Sequence, residues 1–112
     1  MLVGGDGVEF ENWFAARLSE LRGQKGVSAR DMSLSLGQSA SYINKIENKR
    51  TMPSMEIFIY ICEYLNITPA QFFDTELHSP SLSREIAAEA AKLTPKQAEH
   101  ILSVIKDLNE RN

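Results

Sequence analysis

The residue types best suited to nucleophilic or metal chemistry in this sequence are Cys62, His78 and His100, and their settings favour neither use. Cys62 lies within the most apolar stretch of the chain, 55–65, where a thiol serves as core and not as nucleophile. His78 stands in the Ser/Pro stretch His78-Ser79-Pro80-Ser81, and His100 on the polar side of a helical pattern, with no second ligand at metal spacing. The Gly4-Gly5-Asp6-Gly7 stretch lacks the strand and helix that frame a phosphate-binding loop. No enzyme, metal or cofactor is expected. The chemistry that stands out is electrostatic. Residues 17–54 carry seven Lys/Arg against three Asp/Glu, whereas residues 1–16 carry three acids and no base. Residues 55–112 carry five bases against nine acids. A basic block inside a chain of net charge −3 is the footprint of a local anion-binding face, because near charges outweigh the total.

The elements that must position this block read as helices. Residues 1–8, with three glycines, look like a flexible leader. Phe10, Phe14, Leu18 and Leu21 then recur at steps of three and four, one helix face that stops at Gly23 or Gly26. Ser28 with Asp31 opens a very short helix carrying Met32, Leu34 and Leu36, closed by Gly37. Ser39 is placed to cap the next helix, which turns Tyr42, Ile43 and Ile46 inward and therefore Asn44 and Lys45 outward. Pro53 breaks the chain, Ser54 caps the apolar helix, and Thr68-Pro69-Ala70-Gln71 is a capping box with proline at the first helical position. Thr94-Pro95-Lys96-Gln97 repeats that device. No segment alternates as a strand does, so the fold class is all-α.

Two short helices joined through Gly37 are the informative feature. With Ala29 as the first of twenty residues, Gly37 is ninth, Ile43 fifteenth and Ile46 eighteenth. Helices crossing at about 90–120° need a residue tolerant of positive φ at the corner and apolar contacts that lock one on the other. The outer face of the second helix is then free to enter a major groove.

The stretch from Phe14 to Phe73 resembles the helix-turn-helix family of phage Cro and repressor proteins, the XRE-like regulators. The resemblance is carried by Leu18-Ser19-Glu20-Leu21-Arg22, Gly26-Val27-Ser28, Gly37, the run from Ser41 to Asn48, Pro53, Leu65-Asn66-Ile67-Thr68 and Phe72-Phe73. It implies a five-helix domain binding double-stranded DNA. By that resemblance Ala40, Ser41, Asn44 and Lys45 face base edges. Asn44 is suited to the N6 and N7 groups of adenine, Lys45 to guanine O6 or N7, and Ala40 to a thymine methyl. Ser39 falls where the family caps the recognition helix and bonds a phosphate. Lys49, Arg50 and Thr51 fall in a loop that touches phosphates, which sets register without reading sequence. Arg22 and Glu47 match a partly buried structural ion pair. The sequence departs from the pattern at Ala29, where glutamine usually bonds a phosphate; Arg30 or Gln24 is a substitute. Ser33, Gln38 and Lys49 also replace, in turn, a small apolar residue, an apolar residue and a glycine.

Beyond this domain, placed at 9–75, residues 76–112 read as a helical extension. Ala98, Ile101, Ile105 and Leu108 form a short coiled-coil-like seam that Leu102 broadens. The helix either folds back on its own domain or pairs two copies; pairing is favoured, because one helix-turn-helix unit has a small interface and two match a two-fold operator. The expected protein is a dimeric DNA-binding regulator, a repressor by operator occupancy. The alternative is a protein-interaction module on the same fold, such as an antitoxin-like partner or complex subunit. A lone cysteine and the lack of a long apolar run point to the cytoplasm and away from a membrane. No small-molecule domain is expected.

Overall fold

The computed structural model describes residues 7–74, 76 and 78–112, with side chains from residue 9 onward. Its elements are α1 (Gly7–Lys25), α2 (Ala29–Ser35), α3 (Tyr42–Glu47), α4 (Met55–Tyr64), α5 (Pro69–Phe73), α6 (Pro80–Ala90) and α7 (Pro95–Arg111). No strand occurs among the described residues. The leader expected over 1–8 lies mostly outside them, and Gly7 and Val8 already belong to α1. None of the described helices is long and apolar enough to cross a membrane.

Local chemistry sets most helix ends. Ser28, Ser54, Thr68 and Thr94 each accept a backbone N–H from the third residue on, and Thr68–Gln71 and Thr94–Gln97 close reciprocal capping boxes. These satisfy first-turn donors that a helix leaves orphaned. At the turn after α2, Gly37 sits at φ +72°, with open space around the position of a side chain. Its conformation, not crowding, is what calls for glycine there.

The chain divides into two compact units, one ending at Pro80 and the other covering Ser81–Asn112. In the first unit, Phe14, Leu18 and Leu21 of α1 meet Met32 of α2, Ile43 and Ile46 of α3, Phe58, Ile61 and Cys62 of α4, and Phe72 of α5. Phe72 lies 4.9 Å from Phe14 and 5.0 Å from Phe58 between ring centroids, the latter edge-on. Leu34 is exposed, because the seven-residue α2 turns only one narrow face inward. One expectation is corrected. Tyr42 is only half-buried, since the first residue of α3 lies at the rim of the core.

The second unit consists of most of α6 with α7. Neither helix buries a side chain beyond Pro80. Leu82 and Ile86 on α6, and Ile101, Leu102, Val104, Ile105 and Leu108 on α7, are exposed, while Ala98 is half-buried.

Candidate nucleic-acid interface

Helices α2 and α3, with the turn between them, carry the site, and three sets of contacts hold α3 in place. Ile43 and Ile46 are buried against α1 and α2 neighbours in the core. The guanidinium of Arg22 grips Glu47 in a two-bond fork, Nε to Oε2 at 2.7 Å and Nη2 to Oε1 at 2.9 Å, and its Nη1 donates to the carbonyl of Val27 at 2.9 Å. The pair is partly buried, with 22% and 13% of the two side chains exposed. Hydrogen bonding to Glu47 raises the Arg22 pKa against the opposing effect of desolvation, so this cation stays charged. Finally, the fully buried Ser33 hydroxyl accepts the Ile43 N–H at 2.9 Å.

That last bond corrects the expected cap. α3 begins at Tyr42, later than a Ser39 cap requires, and Ser41 at its N-cap position makes no side-chain capping bond. Ser39 contributes its carbonyl instead, accepting from Tyr42 N–H at 3.0 Å. A neighbouring helix supplies the capping oxygen, which a reading confined to adjacent residues does not reveal.

The basic block sorts into two kinds of cation. Arg17 is 6% exposed, and its guanidinium donates to the carbonyls of Phe72 (2.7 Å), Gln71 (2.8 Å) and Asp74 (3.1 Å) as well as to Glu20. It closes the C-terminus of α5 and belongs to the scaffold, as does Arg22. Lys25 lies over the ring of Tyr64, 4.8 Å from its centroid. Arg30, Lys45, Lys49 and Arg50 are exposed and form no ion pair among the described residues. Because the two scaffold arginines neutralise Glu20 and Glu47, the local excess of positive charge remains on the exposed set.

The outward residues lie along one path. Ala40, half-buried, and exposed Ser41 occupy the turn entering α3, and exposed Asn44 and Lys45 stand on the helix. Lys49, Arg50 and Thr51 follow in the exposed loop. Lys49 adopts φ +64°, the left-handed conformation that glycine would take without strain. Around it the Arg50 N–H bonds the Lys45 carbonyl at 2.9 Å and the Lys49 N–H that of Ile46 at 3.0 Å, the hydrogen-bond pattern of a helix C-terminal cap. Ala29 is half-buried against the core. Of its two substitutes, Gln24 donates its amide to the carbonyl of His78, which leaves Arg30 on the exposed first turn of α2. Asn48 was missed in the sequence: its amide bonds Asn44, and the four-residue interval on a helix is the signal that could have found it.

A crossed helix pair with a polar, cationic outer helix defines a DNA-binding domain of the helix-turn-helix class. Residues 15–77 match the family model described as a helix-turn-helix domain, over half of the chain. The chain belongs to that helix-turn-helix family. No curated protein and no solved structure matches it significantly.

Proposed function

We propose that this protein is a sequence-specific transcriptional regulator, acting in the cytoplasm as a dimer that represses by occupying a two-fold operator. The observation that carries the reading is the outer face of α3 with its following loop, where Asn44, Lys45, Lys49 and Arg50 are exposed on a helix held by Ile43, Ile46 and Glu47. In this reading α3 lies in the major groove. Ala40, Ser41, Asn44 and Lys45 meet base edges, while Ser39, Lys49, Arg50, Thr51 and Arg30 meet phosphates. The apolar stripe of half-buried Ala98 with exposed Ile101, Leu102, Ile105 and Leu108 pairs two copies, so that two α3 helices reach half-sites about 34 Å apart.

Selection of duplexes from a random pool tests it. The expected product is a two-fold motif whose affinity falls with salt at a slope near −0.9 per phosphate neutralised. A pool that never enriches overturns the reading. It would then favour the second, a protein-interaction module, which the breadth of the exposed apolar face on α7 supports.

A further inference from the structure

We propose that Asn48 is a specificity-determining residue that acts by fixing which end of the Asn44 amide meets DNA. The proposal rests on the reading of Asn44 as a base-contacting residue and says which base it selects. The Asn48 amide nitrogen lies 2.9 Å from the backbone carbonyl of Asn44 and 3.0 Å from its side-chain oxygen. Chemistry alone orients both amides. A backbone carbonyl can only accept, so the Asn48 atom beside it must be the NH2 group and not the oxygen. That same NH2 group lies beside the end of the Asn44 side chain, so the Asn44 atom it meets must be the oxygen.

An amide is planar, with oxygen and nitrogen on opposite sides of the Cγ. With its oxygen turned toward Asn48, the C-cap residue of α3, Asn44 offers its NH2 group as the free end. Both residues are exposed, and no other bond from either side chain competes among the described residues. In the major groove an NH2 group seeks acceptors. Guanine presents two, N7 and O6, whereas adenine sets an amino group beside its N7. The Asn44 oxygen retains one lone pair, so adenine is disfavoured and not barred. Asn48 thus turns a side chain suited to adenine toward guanine.

The experiment compares base preference at the position that Asn44 contacts, by duplex selection with the full-length chain and with Asn44→Ala, Asn48→Ala and Asn48→Asp. Wild type is expected to prefer guanine over adenine there by roughly tenfold. Asn48→Ala frees the amide and brings the two bases to near parity. Asn48→Asp offers only acceptors, so Asn44 turns its NH2 group inward and its oxygen outward, and the preference moves to adenine or to the amino group of cytosine. The added negative charge of Asn48→Asp weakens all duplexes alike, so the readout is preference at one position and not affinity. A loss of preference in Asn44→Ala with no change in either Asn48 variant overturns the positioning role while leaving Asn44 as a reader. No change in Asn44→Ala overturns both. A wild-type preference for adenine that survives Asn48→Asp likewise overturns the proposal.

Discussion

The side chain of Ser33 on α2 caps Ile43 on α3: its Oγ accepts the Ile43 N–H at 2.9 Å and donates to the Ala29 carbonyl at 2.7 Å. One hydroxyl therefore fastens the first turn of α3 to α2. Ser33→Ala leaves a buried N–H without a partner, which costs about 1–3 kcal/mol. Urea unfolding followed by circular dichroism reads this loss directly. An unchanged midpoint would show that another group satisfies the donor.

Arg17 makes a second such connection, between α1 and the end of α5. Arg17→Met keeps an apolar stem but strips three carbonyls of a charged donor. Bonds of this kind contribute about 1.5–3 kcal/mol each and do not add fully, so a loss of ~3 kcal/mol is expected. The salt dependence of DNA binding should stay as it is, because this cation faces the interior. A shallower salt slope would move Arg17 to the DNA-facing set.

Lys49 holds a charge where the backbone favours glycine. Lys49→Gly should stabilise the domain by about 1 kcal/mol through relief of the left-handed strain. The same change should weaken specific and random DNA alike and reduce the salt slope by roughly 0.9. Stability and affinity thus move in opposite directions, and parallel melting and binding titrations check both. Affinity that survives unchanged removes Lys49 from the phosphate contacts.

The apolar face of α7 gives a test of assembly. Each leucine-sized side chain taken out of water contributes about 1.5–3 kcal/mol, so Ile105→Glu should split a dimer built on this seam. The first unit should keep its melting behaviour, and operator affinity should fall sharply as one half-site is lost. Sedimentation equilibrium at tens of micromolar measures the mass. A wild-type monomer under those conditions would sink the dimer.

Cys62 supplies a pH dependence. Burial, aided by the nearby charge of Glu63, pushes its thiol from 9.0 up to about 11. The unfolded chain therefore loses this proton first as pH rises. Stability from the buried neutral thiol is intact below pH 9 and declines between about pH 9 and 11. At pH 8 a thiol reagent should modify Cys62 only as fast as the domain opens. Rapid labelling of the folded protein would contradict the burial.

The ends of most helices are written within four residues of chain, which is why they are legible without a structure. Ser28, Ser54, Thr68 and Thr94 cap by bonding the third residue onward, and the steps of Phe14, Leu18 and Leu21 mark a buried face whatever lies opposite. The turn at Gly37 and the outward placement of Asn44 and Lys45 follow from the same short-range periodicity. The crossing of α2 and α3 needed the whole ordered pattern from Phe14 to Phe73, since a twenty-residue match alone is weak. Charge, by contrast, was legible only as a total over the block. Arg17 and Lys45 are both cations in it, yet Arg17 reaches carbonyls 54 to 57 residues away and Lys45 reaches none. Ser39 and Ser33 are both hydroxyls near the start of α3, and the one ten residues from Ile43 supplies the bond. Periodicity and capping depend on neighbours along the chain. Which polar group finds its partner depends on where the packed helices bring distant backbone, and that was decided only on folding.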